Sequence, residues 1–341
     1  MCFVVEAFKG INHKGHEGTQ RKTSRKELKV SNNILQSIGN TSLVQLHQVV
    51  PSDCAQIFAK LEWQNPTGSM KDRMAVAVIS RAEADGRLSP GDTVVEYTGG
   101  STGTSLALVC AAKGYPIHVV SSKAFSQEKL DHMVAYGAKL TLVPHDGDAT
   151  AKHTTKKMIL DMIEAARKLS LSPHTYWVNQ LHNTDAIAGY FSLGDEIWSQ
   201  TGGRIDAFVQ SVGTAASLRG VATVLRRYNP KIKIIAVEPE ESSVLSGGKS
   251  GAHDIEGIGV GYTPPLWDPN LVDEVLSVRT ADAKDMARQL ARKEGIFAGT
   301  SSGGNVHAAI RVAKELGPAA SVVTLMVDSG LKYLGTDLYR T

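Results

Sequence analysis

Thr93-Val94-Val95-Glu96-Tyr97-Thr98-Gly99-Gly100-Ser101-Thr102-Gly103 is the stretch that decides the fold. A short β-branched and aromatic run stops at a cluster of small residues, and an alanine-rich segment, Thr104 to Lys113, follows and ends at Gly114. That order reads as strand, tight loop and helix. The same rhythm recurs. Short apolar runs bounded by Gly, Pro or Ser lie at Ile117 to Val120, Leu140 to Val143, Ala207 to Gln210, Ile232 to Val237 and Val322 to Val327. Helical stretches lie at Lys71 to Asp85, Ser126 to Tyr136, Thr184 to Ser199, Ser217 to Arg227, Ala281 to Lys293 and Ser302 to Leu316. Many stop at a glycine: Gly86, Gly114, Gly137, Gly202, Gly295 and Gly317. Strands without polar alternation are buried on both faces, so the expected class is α/β with mostly parallel sheets flanked by helices.

At 341 residues the chain exceeds the usual size of one hydrophobic core, which points to one large or two closely packed domains. It is 42% hydrophobic and 21% charged, the balance of a soluble globular protein, and no apolar run is long enough to span a bilayer. The net charge of +3 comes from the start of the chain, where residues 1–30 hold seven Lys and Arg against three Asp and Glu. A body without basic excess gives a nucleic-acid reading no footing, because phosphate neutralisation supplies most of that affinity.

Residues 9–30 are polar, basic and aperiodic, so 1–32 reads as a solvated tail in which His13 and His16 are linker residues rather than metal ligands. No metal site is expected. Cys2, Cys54 and Cys110 are too few and too scattered for a disulfide framework, and the start lacks a secretory pattern. A reducing cytoplasm is the expected location.

Ligands of open parallel sheets sit outside the carboxyl ends of the strands, so the loops after strands carry the chemistry. In Asn65-Pro66-Thr67-Gly68-Ser69-Met70-Lys71-Asp72-Arg73, Pro66 and Gly68 make a turn and Lys71 falls in the first turn of a helix. The positive end of the helix dipole disfavours its ammonium and suits it to imine chemistry, although a solvated surface lysine accounts for this motif alone as well. Thr98 to Gly103 and Ser211-Val212-Gly213-Thr214-Ala215-Ala216-Ser217 each offer backbone N–H groups at a helix start; neither is a Walker loop or a dinucleotide fingerprint. Gly299-Thr300-Ser301-Ser302-Gly303-Gly304-Asn305 is a fourth such loop. Glu240 to Asn270 is rich in Gly, Ser and Pro, and a connection that long inside an α/β body is more often functional than idle. Together the loops and the lysine point to a phosphorylated cofactor.

The chain resembles the cysteine synthase and cystathionine β-synthase family of pyridoxal-phosphate (PLP) enzymes from about Ile34 to Tyr339. The likeness rests on Ile38-Gly39-Asn40-Thr41-Ser42-Leu43-Val44, the Asn65 to Arg73 motif, Asn179-Gln180, Glu256-Gly257-Ile258-Gly259 and Asp328-Ser329-Gly330-Leu331-Lys332-Tyr333-Leu334 in that order. It implies the fold type II architecture, like the tryptophan synthase β chain. A smaller N-terminal α/β domain, 33–178, and a larger C-terminal one, 179–341, would hold PLP in the cleft between them, with part of 43–64 a candidate to pack with the other domain.

The likeness also implies roles. Lys71 forms the Schiff base and later moves the Cα proton. Thr98, Gly99, Gly100, Ser101 and Thr102, with Gln180, hold the substrate carboxylate. Gly213, Thr214, Ala215, Ala216 and Ser217 hold the phosphate, Ser301 meets the pyridine nitrogen, and Gly257, Ile258 and Gly259 line the mouth. The implied reaction is β-replacement that forms L-cysteine from O-acetylserine, or another O-activated serine, and sulfide or a thiol through an aminoacrylate. Cysteine desulfhydrase, cystathionine β-synthase, diaminopropionate synthase and serine deaminase chemistry are the alternatives on the same scaffold. A non-catalytic regulatory paralogue is the alternative of another class. A homodimer is the expected assembly, and an acetyltransferase partner is left open.

Two departures stand out. Family members read Thr-Ser-Gly-Asn-Thr-Gly where this chain has Thr98 to Gly103, so Gly99 removes a hydroxyl and Ser101 replaces an asparagine expected to reach the 3′-oxygen of the cofactor. Gly99 is therefore a candidate for admitting a larger substrate. Ala215 and Ala216 stand where glycines are usual, which keeps the phosphate loop intact if neither needs a positive φ.

Overall fold

The computed structural model describes residues 31–144 and 156–340, so the expectations for the basic tail, His13, His16 and Cys2 lie outside the described residues. The chain enters through β1 (Leu43–Gln45) and β2 (Gln56–Lys60), an antiparallel pair. It then leaves them. There follow α1 (Lys71–Ala84), β3 (Thr93–Tyr97), α2 (Ser101–Lys113), β4 (Ile117–Ser122), α3 (Gln127–Ala135), β5 (Lys139–Val143), α4 (Lys156–Leu169) and β6 (Thr175–Trp177). These four strands form a wholly parallel sheet in the order β5-β4-β3-β6.

Two short helices, α5 (Asp185–Ala188) and α6 (Phe191–Gln200), lead to β7 (Ala207–Ser211), α7 (Ala216–Tyr228), β8 (Lys233–Pro239), β9 (Glu274–Val278), α8 (Thr280–Gln289), α9 (Thr300–Leu316) and β10 (Ser321–Leu325). The second sheet runs β1-β2-β10-β7-β8-β9, parallel except for β1. Two α/β domains, each a mostly parallel sheet flanked by helices, are therefore present. They share a core in which Met70, Val78, Val94, Phe208 and Val323 belong to one hydrophobic cluster, so residues 33–341 pack as one compact unit.

Burial explains the sequence pattern. Every residue of β7 is buried, and so is β8 after Lys233, which is why neither alternates. At the sheet edge β5 departs from this, with Leu142 exposed. The single helix expected over 184–199 is broken at Gly189 and Tyr190, because the chain there presses on α1: a Cβ at Gly189 would lie 2.8 Å from the carbonyl oxygen of Arg73. The helix expected to reach Lys293 is α-helical to Gln289 and ends in a π turn, Leu290–Glu294. Among the described residues no helix is long and apolar enough to cross a membrane.

Both sheets reverse their strand order in the middle. β3 is flanked by β4 and β6, and β7 by β8 and β10, so the loops leaving β3 and β6 diverge, as do those leaving β7 and β10. Such switch points open a crevice at the carboxyl ends of the strands.

Candidate active site

Lys71 opens α1, and its backbone N–H is received by the Ser69 hydroxyl at 3.2 Å. The turn before it is fixed internally, since the buried Asp72 carboxylate accepts the Thr67 N–H at 2.8 Å as well as the Thr67 hydroxyl. One turn on, the Arg73 guanidinium bonds Glu62 and Glu196 at 2.7–2.8 Å, and Lys60 reaches Glu196 at 2.6 Å. Every charge in this network is paired, as burial demands. Burial alone would raise the Glu196 carboxyl, but hydrogen bonds and charge from Arg73 and Lys60 overcome it and hold it at about 2. The network anchors α1 to β2 and α6, and so fixes the root of Lys71.

Burial lowers the Lys71 amine below the ordinary lysine range, in the same direction as the helix dipole, and the Asp328 carboxylate opposes it. The side chain faces a cavity at the two switch points. Thr98 to Thr102 and Gln180 line it from the smaller sheet; Gly213, Thr214, Ser217, Gly257, Ile258 and Ser301 line it from the larger. Three residues singled out in the sequence do not reach it. Ala215 and Ala216 are buried beneath the loop, and Gly259 lies behind the wall, where its N–H bonds Val212 and its carbonyl meets His253.

The condition on the phosphate loop fails at one position. Ala215 adopts φ +69°, a left-handed conformation that costs a residue with a Cβ about 1–2 kcal/mol. Gly213 has no such freedom to change, because a Cβ there would lie 2.4 Å from the Gly257 carbonyl oxygen that crosses over it.

The other departure also resolves differently from the expectation. Gly99 does not leave room for a larger substrate: the Phe125 ring occupies the space, 2.5 Å from where a Cβ would stand. Beside it the Lys129 stem lies 2.3 Å from a Cβ position on Gly100. The loop is small because its neighbours are large.

Gln180 is already engaged. Its Oε1 accepts the Thr102 hydroxyl at 2.8 Å and its Nε2 donates to the Tyr97 carbonyl at 2.8 Å, which leaves one amide hydrogen for a ligand. Its own N–H reaches the buried Glu96, whose carboxyl burial pushes up to about 8. Asn305 ties the two switch-point strands of the larger sheet, accepting the Ser211 N–H at 2.7 Å and donating to the Leu325 carbonyl at 2.9 Å.

Charged residues to which the sequence reading assigns no role complete the wall. Lys129 pairs with Glu256 and lies over the Tyr333 ring, 4.2 Å from its centroid. Asp328 accepts the Ser101 hydroxyl at 3.2 Å and the Tyr333 hydroxyl at 3.0 Å. Lys129 and Glu256 come from far-apart segments; Glu256 enters the sequence reading only as part of a motif, and Lys129 has no role in it.

The cavity fits PLP on its own terms. Two buried polar atoms in its wall, Gln210 Oε1 and Ser211 Oγ, have no hydrogen-bond partner among the described residues, which polar groups in interiors seldom tolerate. A helix start beside Gly213, Thr214 and Ser217, a lysine amine with lowered proton affinity and a buried serine hydroxyl at the start of α9 are the kinds of group that a phosphate, an aldehyde and a ring nitrogen would need.

Comparisons with known proteins agree. The family model described as "Pyridoxal-phosphate dependent enzyme" matches residues 34–328. A cysteine synthase of Staphylococcus aureus is 43% identical over 310 residues, 90% of this chain and 96% of the relative. The crystal structure of a cysteine synthase from Entamoeba histolytica superposes with a TM-score of 0.85 at 35% identity, covering 98% of this chain and 95% of that one. An O-acetylserine-dependent cystathionine β-synthase from Helicobacter pylori gives 0.84 at 31%, covering 92% and 100%. The cavity, the fold and these likenesses lead to one conclusion: the chain belongs to the cysteine synthase and cystathionine β-synthase family of fold type II, PLP-dependent enzymes that carry out β-replacement and β-elimination.

Proposed function

We propose that this chain forms L-cysteine from O-acetylserine, or another O-activated serine, and sulfide, with Lys71 as the residue that carries PLP. The observation that supports it most is the convergence of Lys71, the Thr98 to Thr102 loop and Ser301 on one cavity. Bound there, PLP supplies an electron sink for breaking the Cα–H bond and expelling the β-substituent. The chain does the rest. N–H and hydroxyl groups of Thr98 to Thr102, with the free amide hydrogen of Gln180, hold the substrate carboxylate. Once displaced by the substrate, the Lys71 amine takes the Cα proton, and its lowered proton affinity brings it nearer to neutral pH. The loop Gly213 to Ser217 takes the phosphate through Gly213, Thr214 and Ser217, which line the cavity. Ser301 meets the ring nitrogen as a hydroxyl; unlike a carboxylate, it holds no proton there, which favours prompt elimination over a long-lived carbanion.

A second reading, another β-replacement or elimination on the same cavity, draws on the Phe125 ring beside Gly99, which reshapes the carboxylate loop. The O-acetylserine-dependent cystathionine β-synthase likeness points the same way, with a larger thiol as nucleophile. The proposal includes a division between the domains near residue 178, a homodimer and a reducing cytoplasm, the last in keeping with the buried free thiols of Cys54 and Cys110.

The test is to load the protein with PLP, supply O-acetylserine, O-phosphoserine, L-serine and L-cysteine in turn with sulfide or homocysteine, and measure the product amino acid. Cysteine from sulfide and one activated serine supports the first reading; cystathionine, or sulfide released from cysteine, moves the assignment to the second. An absorption band of bound PLP that no amino acid alters would favour a regulatory paralogue.

A further inference from the structure

Lys332, on the 3₁₀ turn Gly330–Tyr333, is a buried lysine for which the reaction above has no use. Its stem runs beside the Lys71 turn, with Cε 3.8 Å from a Cβ position on Gly68, and its ammonium ends 3.3 Å from the Ser101 hydroxyl. Ser126 fixes the turn by donating to the Lys332 carbonyl at 2.9 Å. Among the described residues the Ser101 oxygen is the hydrogen-bond partner recorded for its Nζ, few for a buried cation that carries three donors. The charged and titratable groups around it are Asp328 on its own loop, Lys71 and Asp72 on α1, and Lys129 and His132 on α3.

We propose that Lys332 is a positioning residue that acts through the Ser101 hydroxyl to keep positive charge beside the ring oxygen of bound PLP, and so sets the ionisation of that oxygen. This rests on the reading of the cavity as a PLP site. In PLP the aldehyde carbon is flanked by the phosphate arm on one side and the ring oxygen on the other. With the arm toward Gly213 to Ser217 and the aldehyde at Lys71, the oxygen turns to the opposite wall, where Ser101 stands. The Ser101 hydroxyl receives a bond from Lys332 and gives its own proton to Asp328, so an anionic oxygen competes with Asp328 for that proton. The ammonium behind it favours the anion.

Burial, aided by Lys129 and Lys71 and opposed by Asp328 and Asp72, lowers the Lys332 amine to about 8. The charge is thus present at neutral pH and lost in mild alkali unless the bound anion raises it.

The experiment is a pH titration of the absorption of PLP-loaded protein, because the visible and near-ultraviolet bands of bound PLP report the anionic and neutral ring oxygen. In the wild type the visible band should dominate at pH 7 and give way at alkaline pH. Lys332→Met should lower the visible-to-near-ultraviolet ratio at pH 7 by about tenfold for each pKa unit of lost stabilisation. Lys332→Arg should hold the visible band across the titration. Ser101→Ala, which leaves the buried lysine in place, should reproduce the Lys332→Met spectrum and serves if that variant does not fold. Wild-type ratios and pH profiles in both Lys332→Met and Ser101→Ala would overturn the proposal. A wild-type chain that takes up PLP with no visible band at any pH would instead overturn the reading of the site, and this inference with it.

Discussion

Replacing Gly99 by serine, the residue the family resemblance leads one to expect there, should destabilise this chain rather than restore a function. Gly99 does not use the left-handed backbone region, so the substitution tests sterics alone. Its new Cβ would stand 2.5 Å from Cε1 and 2.7 Å from Cζ of Phe125, a ring that is 7% exposed and packed against Met162 and Tyr97 in one cluster. Relief requires the ring to leave its rotamer or the loop to lift, which costs about 1–3 kcal/mol in a packed core. Phe125→Ala alone should cost about 3–5 kcal/mol for the cavity it leaves. The two changes compensate each other, so the double variant should be more stable than the sum of the single effects predicts by about 1–3 kcal/mol. Urea denaturation of the four proteins, with equal slopes, measures that coupling. Additivity within about 0.5 kcal/mol would refute the claim that Phe125 is what excludes a side chain at position 99.

Ala215→Gly should stabilise the fold by about 0.5–1 kcal/mol, since relief of the left-handed strain outweighs the added freedom of the unfolded chain; thermal melts of the two proteins decide it. Glu196 has its carboxyl held at about 2, below the ordinary 4.5, so the unfolded chain binds the extra proton and stability is lost as pH falls from about 4.5 toward 2. Glu196→Gln should flatten that part of an acid-unfolding curve, and an unchanged acid limb would contradict the assignment. Arg73→Leu leaves the buried Glu62 without its ionic partner and Glu196 with Lys60 alone, and should cost about 3–5 kcal/mol in denaturant. Lys71→Ala should abolish the borohydride-reducible attachment of PLP and lower turnover by at least about 100-fold, with secondary structure by circular dichroism unchanged.

The parallel strands and the loops that follow them were legible because burial on both faces leaves no polar alternation to confuse them, and small residues mark where each ends. Thr93 to Tyr97 and Ala207 to Gln210 fall within β3 and β7. The six glycines expected to end helices all take positive φ. Other features depend on partners distant in the chain. The break at Gly189 is set by α1, and the loss of a side chain at Gly99 by a ring in the segment before α3; neither partner is near in sequence. Lys129 draws no functional reading and Lys332 enters only within the Asp328 to Leu334 motif, without a role, because nothing local distinguishes a buried ammonium from a solvated one. The acid of Lys129, Glu256, lies in another segment, and Lys332 is buried against Ser101 and the turn before α1, both far from it in the chain. The expected helices omit the amphipathic α4, whose start adjoins 145–155, where the sequence has little apolar signal.

The pairing of β2 with β10, Gln56 opposite Ser321 through Lys60 opposite Leu325, has a bearing on biosynthesis. A ribosome releases β2 well before its partner β10, which lies more than 250 residues further along the chain. The sheet of β3 to β6 can close while translation continues, but β2 must wait with one edge open until residue 325 has emerged. An unpaired edge of Ile57, Phe58 and Ala59 invites association with other chains, so expression in cells short of chaperones should lose this protein to aggregates before it loses any folded domain.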